Sequence, residues 1–229
     1  MWKAVNDILK RAFDVVAALL ALIVLSPVMA VCAVWVKRDS EGPVLFRQDR
    51  LTKGGRVFRM LKFRSMVQNA EQAGAGLFNY EGDPRVTRCG RFLREHSLDE
   101  LPQLLNILKG DMSVVGPRPC VVYELGDYET LNRRFKKRFE VKAGLTGYAQ
   151  IQGRNDLEWD KKVDFDNRYI DLYRRWGVVL DLWIVVRTFA GVFSHKDIYE
   201  NKVAEGLSDD MSAELAQARV IEMAHRFEE

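Results

Sequence analysis

The sequence predicts a mainly α chain with one short β-hairpin, an α+β fold attached to a membrane at its N-terminus. Three observations predict it. The 22 positions 15–36 carry no charged residue. Two short strand-like stretches, 42–46 and 57–61, flank the turn Thr52-Lys53-Gly54-Gly55-Arg56. Leucines at helical spacing recur further along, at Leu101, Leu104, Leu105 and Leu108. With 229 residues, 48% hydrophobic and 29% charged, the chain can build a core, which excludes a disordered tail and a multispan membrane protein. Its net charge of +3 conceals a sorting. Residues 37–142 hold 21 Lys and Arg against 14 Asp and Glu, whereas 197–229 hold three against nine. Cys32, Cys89 and Cys120 have no metal-ligand spacing and cannot all pair, which fits a reducing compartment better than a disulfide scaffold.

Taken in order, Trp2, Val5, Ile8, Leu9, Ala12 and Phe13 recur at helical spacing, as in a helix lying on a membrane surface. The uncharged run follows, and as a helix it would reach about 33 Å, enough to cross a hydrocarbon core of about 30 Å. Two features favour a bend instead. Ser26-Pro27 lies near its middle, where proline removes a backbone hydrogen bond. Lys10 and Arg11 precede the run and Lys37 and Arg38 follow it, so the basic flanks give no preferred orientation. Such a helix enters, bends at Ser26-Pro27 and returns, with the Ser26 hydroxyl occupying backbone groups freed by the bend. A spanning helix remains the main alternative. A cleaved signal peptide, with Val31-Cys32-Ala33 imitating its cleavage site, is the weaker one.

Next comes the hairpin. Residues 47–64 hold seven Lys or Arg against one Asp, a concentration suited either to phosphate or to a solvated face beside anionic lipid. Nucleic acid is a poor partner because no groove-reading motif accompanies the charge. Residues 72–82, rich in Gly, Ala and polar side chains, read as a mobile loop.

The segment 85–119 is densest in chemistry. A helix is expected to begin near Ser97 and to stop at Gly110. Ser97 and Glu100 have the spacing of a capping box, a purely structural role for Glu100. Asp99, in the first turn, is expected to have its pKa lowered by the helix dipole, making it a candidate nucleophile or Mg²⁺ ligand. Arg94 and Arg118, the latter between two prolines, can meet a phosphate or form structural salt bridges.

A third cluster runs from Gly144 through Gly147 and Gln150 to Gly153-Arg154-Asn155, Trp159, Lys161, Lys162, Asp164 and Asp166. Its glycines permit tight turns or close approach to a ligand, without matching a Walker or dinucleotide pattern. Residues 178–193 are apolar except for Asp181, Arg187 and Thr188, and read as an interfacial helix. At the acidic end, Ser208-Asp209-Asp210 can cap a helix with Ala213, Ala216, Val220, Met223, Ala224 and Phe227 on one face. The residues alone thus reach a membrane-attached protein with a phosphate site and a carboxylate pair, and do not name a reaction.

The chain resembles the small monotopic phosphoglycosyl transferases of bacterial glycoconjugate assembly. The likeness rests on Lys10-Arg11-Ala12-Phe13-Asp14, Ser26-Pro27, Lys62-Phe63-Arg64-Ser65-Met66, Ser97-Leu98-Asp99-Glu100-Leu101-Pro102-Gln103-Leu104, Gly116-Pro117-Arg118-Pro119, Gly144-Leu145-Thr146-Gly147 and Gly153-Arg154-Asn155. The resemblance implies transfer of a phosphosugar from a UDP-sugar to a polyprenol phosphate, giving UMP. It also implies a compact catalytic body on the cytoplasmic face of the inner membrane, with a break at Ser26-Pro27. The family's Asp-Glu dyad falls on Asp99 and Glu100. Asp99 would form a covalent phosphosugar intermediate and lie near Mg²⁺. Lys62, Arg94 and Arg118 match its phosphate-binding basic residues and Asp166 a carboxylate near its active site, while Gln150 and Arg154 are further substrate-binding candidates. On this division 1–38 form the re-entrant helix, 39–200 the transferase domain and 201–229 an acidic extension that packs on the basic body or on a second copy in a homodimer. The competing functions are a noncatalytic adaptor for anionic lipid and a nucleotide-sugar hydrolase.

Overall fold

The computed structural model describes residues 2–70, 82–153, 157–192 and 210–226. Helix α1 (Trp2–Asp39) takes in the expected surface helix and the uncharged run as one element that continues through Pro27. Proline's missing N–H frees the carbonyl four residues earlier, and the Ser26 hydroxyl donates to that carbonyl, of Ile23, at 3.0 Å. By length and composition the helix is able to cross a membrane. Both sides of Pro27 nevertheless pack on the same body. Ala18, with Ala21 and Leu22, lies against Met60, Leu104 and Ile107. Cys32 and Val36 lie against Phe63, Cys89 and Leu93. Between them Ile23 and Val24 are 70% and 71% exposed.

The basic residues before the run are not the free flanks that the sequence suggested. Lys10 Nζ donates to Asp181 at 2.6 Å and to the Val115 carbonyl at 3.0 Å. Arg11 donates to the carbonyls of Ile107 and Leu108, both at 2.7 Å. Asp14 accepts from the Ser113 hydroxyl and the Val114 N–H. Each charge is used to fasten α1 to the body.

Strands β1 (Leu45–Leu51) and β2 (Val57–Phe63) form the expected antiparallel hairpin, in register from Leu45↔Phe63 to Leu51↔Val57. Gly55 in the turn has φ +72°, and a Cβ there would stand 2.4 Å from the Tyr128 ring, so the turn demands glycine twice over. Helix α2 (Arg88–Glu95) is capped by the Thr87 hydroxyl, which accepts from the Gly90 N–H. A single 3₁₀ turn, Leu98–Glu100, leads through Pro102 into α3 (Gln103–Lys109). Helix α3 ends at Gly110 in the left-handed region, the expected stop. Asn106 ties α3 to β2, accepting from the Leu61 N–H and donating to the Arg59 carbonyl.

The start of the glycine-rich stretch is a strand, and the residues that follow it line the main cavity. β3 (Ser113–Val115) pairs in parallel with β4 (Gly144–Thr146). A Cβ on Gly144 would lie 2.1 Å from the Gly116 nitrogen, so these glycines let backbone approach backbone. Helices α4 (Arg133–Lys137), α5 (Gln150–Gly153), α6 (Trp159–Trp176) and α7 (Val178–Val192) follow. Tyr169 and Ile170 of α6 and Ile184 of α7 share one core with Val115. The outer face of α7 shows Val179, Leu182, Trp183, Val186 and Phe189. Helix α8 (Asp210–His225) sets Val220, Met223 and Ala224 against Leu125, Leu131 and Phe135, so the acidic extension does pack on the body. The expected loop 72–82, save Gly82, and the cap at Ser208-Asp209 lie outside the described residues.

Candidate active site

One cavity of about 1770 Å³ gathers most of the residues expected to act together: Lys62, Arg94, Asp99, Glu100, Arg118 and Asp166 all line it. The local fold explains the dyad's aim. In a 3₁₀ turn, side chains three apart eclipse one another. Leu98 and Leu101 are such a pair, and both pack against the cluster of Phe63, Cys89 and Leu93. Asp99 and Glu100 between them are thereby turned toward the cavity. Ser97 starts the turn at φ +55°, and its side chain caps nothing. Glu100 does not reach back to it either, so the capping-box role fails.

Glu100 is instead clamped from two sides. Lys62 Nζ, from β2, donates to Glu100 Oε1 at 3.0 Å, and Arg118, from the proline loop after β3, donates to the same oxygen at 2.9 Å. Burial works against the Glu100 charge, yet Arg118 and then Lys62 hold its carboxyl far below the ordinary range. Burial lowers the Lys62 pKa against the pull of Glu100 and Asp99. Glu100 raises that of Arg118.

Asp99 behaves oppositely. Only 6% of the residue is exposed, and its carboxylate takes part in no hydrogen bond or ion pair among the described residues. Burial pushes its pKa up, outweighing Lys62; Glu100 adds to the rise, while Arg94 and Arg118 oppose it. This corrects the expectation of a dipole-lowered pKa. Asp99 precedes α3 and sits in a short buried turn, where desolvation exceeds any helix-end effect.

Magnesium was expected at Asp99. Among the described residues no group of three or more His, Cys, Asp or Glu is arranged to hold a metal. One carboxylate without a partner among the described residues still fits Mg²⁺, which commonly takes one or two carboxylates and completes its shell with water and substrate phosphate. The fit is to a metal that arrives with a diphosphate.

Across the cavity Asp166 meets Arg138 rather than open space, at 3.0 Å, both residues being buried. Arg138 also donates to the Arg118 carbonyl at 2.8 Å and stacks over Trp159 at 4.9 Å. Its Nε and Nη1 have no partner among the described residues. The sequence reading missed Arg138 because it ends a basic run, Arg133 to Arg138, in which no local signal distinguishes it. Burial pushes Asp166 up to about 6, against Arg138 and Lys162. Gln150 donates to the Leu145 carbonyl and leaves Oε1 unpartnered at the cavity wall. Arg154 lies outside the described residues. Of the seven basic residues in 47–64, Lys62 alone pairs with the dyad. Arg56 and Arg59 pair outward with Asp111 and Asp49, and Arg64 closes the end of α1 through the Val36 and Ser40 carbonyls.

Comparison with known proteins places this geometry. The chain is 45% identical over 202 residues to the UDP-glucose:undecaprenyl-phosphate glucose-1-phosphate transferase of Escherichia coli, covering 85% of this chain and 42% of that protein. It is 42% identical over 183 residues to the UDP-N-acetylgalactosamine-undecaprenyl-phosphate N-acetylgalactosaminephosphotransferase of Aeromonas hydrophila, covering 79% of this chain and 43% of that protein. With the exopolysaccharide production protein ExoY of Sinorhizobium fredii it shares 39% identity over 211 residues, 86% of this chain and 91% of that protein. The chain therefore spans under half the length of two of these relatives and nearly all of the third. The model of the bacterial sugar transferase family matches residues 5–195, which include α1, the dyad and the cavity, and the chain belongs to that family.

Proposed function

We propose that the protein transfers a phosphosugar from a UDP-sugar to a polyprenol phosphate at a membrane surface, with Asp99 as nucleophile. The observation that carries this reading is the contrast within the dyad: Glu100 is held by two cations, and Asp99 is buried, without a partner among the described residues, and open to the same cavity. In the first step an Asp99 carboxylate oxygen bonds to the β-phosphorus of the donor. The bond from that phosphorus to the bridging oxygen breaks, and UMP leaves with its electron pair. In the second step a phosphate oxygen of the acceptor bonds to the same phosphorus and releases Asp99. A carboxylate with a raised pKa is the better nucleophile of the pair. Glu100 keeps Lys62 and Arg118 facing the diphosphate, where they offset its charge. Arg138 steadies the Arg118 loop through its carbonyl. Mg²⁺, held by Asp99 and the donor's phosphates, would supply further charge neutralisation for UMP as leaving group.

For topology the proposal is a re-entrant α1 with the body on the cytoplasmic face of the inner membrane. Supporting it, residues on both sides of Pro27 pack on one body, with Ile23 and Val24 exposed between them. A helix crossing the bilayer would send its two ends to opposite sides.

The test is UMP release from a panel of UDP-sugars by the protein in detergent or nanodiscs. The wild type is expected to release UMP with one donor and to form the lipid-linked diphosphate sugar only when polyprenol phosphate is added. Transfer to water instead would make it a hydrolase, and no release with any donor would leave a lipid-binding adaptor. Labelling of cysteines placed before Lys10 or after Arg38 from the periplasmic side would sink the re-entrant topology.

A further inference from the structure

We propose that Arg187 receives the phosphate of the lipid acceptor as it passes from the membrane surface into the cavity. The inference rests on the proposed transfer reaction, and its ligand class is a phosphomonoester on a long apolar chain. Arg187 stands on α7, whose outward face shows Val179, Leu182, Trp183, Val186 and Phe189, each 46% to 67% exposed. An apolar stripe of that width on a surface helix is the form that lies in a lipid interface. Arg187 is the lone cation on α7, and it also lines the cavity that holds Asp99. The lining of the same cavity includes the apolar Ala17, Ala21 and Leu25 of α1 and Val185, Phe189 and Ala190 of α7.

Three of the other cations that line this cavity hold carboxylates. Lys62 and Arg118 hold Glu100, and Arg138 holds Asp166. No carboxylate among the described residues pairs with Arg187, whose contact is the Trp183 ring at 5.9 Å. The helix that bears it is held in place nonetheless. Asp181, six residues earlier and roughly 9 Å along the helix, is fully buried between Lys10 and the Tyr169 hydroxyl. The neighbouring Thr188 hydroxyl meets that of Thr146 at 2.7 Å. A guanidinium so placed, unpaired between a lipid-facing stripe and a partly apolar cavity lining, matches a phosphate whose tail must remain in apolar surroundings. A soluble nucleotide donor has no such requirement.

The experiment measures binding of polyprenol phosphate without donor, and then steady-state transfer, for wild type, Arg187→Gln and Arg187→Lys in nanodiscs of neutral lipid. Arg187→Gln is expected to weaken acceptor binding and raise the acceptor KM by about tenfold, the scale of one charge-assisted contact. The donor KM should stay within about twofold, and Arg187→Lys should recover most of the loss, since charge rather than shape is required at an entry point. An unchanged acceptor KM, donor and acceptor KM rising together, or a Lys variant as poor as Gln would each overturn the proposal. Binding to vesicles of anionic phospholipid without polyprenol phosphate separates the two phosphate sources. A loss there equal to the loss for polyprenol phosphate would make Arg187 a general lipid contact and overturn it as well. If the wild type binds polyprenol phosphate through Arg187 yet transfers nothing, the proposed reaction fails and the assignment of Arg187 stands.

Discussion

Two clusters of buried charge in this protein use the same ingredients to opposite ends. Beneath α1, Lys10, Asp14 and Asp181 are joined by Ser113 and Tyr169, and each charged group has a partner within hydrogen-bond distance. In the cavity, Lys62, Glu100 and Arg118 are likewise joined, but Asp99 is left without one. Both clusters are desolvated, and in both burial raises a carboxylate, Asp181 in one and Asp99 in the other. The difference teaches that the presence of partners separates an anchor from the proposed reactive site. A buried carboxylate with partners on other elements holds those elements together, and one without them is left able to form a new bond.

Removing the spare lone pair should have the largest effect. Asp99→Asn is expected to lower UMP release at least about 10³-fold, or roughly 4 kcal/mol of barrier, with the thermal transition little changed. Retained turnover would break the comparison at its reactive end. At the other end, Asp181→Ala strands Lys10 and should destabilise the fold by about 3–5 kcal/mol, as loss of one partner of a buried pair does. Pulse proteolysis would measure it, and wild-type resistance would show the lower cluster to be dispensable.

Asp166 and Glu100 sharpen the contrast through pH. Burial pushes Asp166 up to about 6 from 3.8, so the folded chain keeps a proton between those values that the unfolded chain has released. Its contribution to stability is therefore complete below about pH 4 and is lost as pH rises through 6. Glu100, held down by Arg118 and Lys62 despite its burial, contributes the reverse: stability present above its ordinary 4.5 and lost as pH falls below it. A ¹³C titration of labelled carboxylates should show Asp166 protonating near 6 with Glu100 still ionised, and an Asp166 signal already ionised at pH 5 would refute this. The smallest effect belongs to the exposed pair of Arg56 and Asp111 at 3.1 Å. Arg56→Ala should move the thermal transition by an amount within about 0.5 kcal/mol, and a larger shift would mean that surface pairs carry weight here too.

Much of this was legible in the sequence where a signal is local. The hairpin declared itself by its glycine turn, the end of α3 by Gly110, and Ser26 by its place before Pro27. The dyad was found, but its electrostatics were not. Whether Asp99 is raised or lowered depends on Lys62, Arg94 and Arg118 arriving from other elements, which spacing does not encode. Lys10 and Arg11 were read as flanks of an apolar run, since their partners lie 96 to 171 positions away. The parallel pair of β3 and β4 was missed for the same reason: three-residue strands have no period of their own. Arg134 and Lys137 also pair with carboxylates of α6, and Arg138 is distinguished from them by its burial against Asp166, which spacing does not encode.

Arg11 carries a mechanical consequence. Its guanidinium takes the two carbonyls at the far end of α3, while the near end of α3 continues directly from the turn bearing Asp99 and Glu100. Helix α1 and the dyad are thus bolted into one strut, and on the proposed re-entrant placement a shift of α1 in depth would carry Asp99 with it. In that arrangement the apolar helix would act as a depth gauge, its position in lipid setting the height of the proposed chemistry.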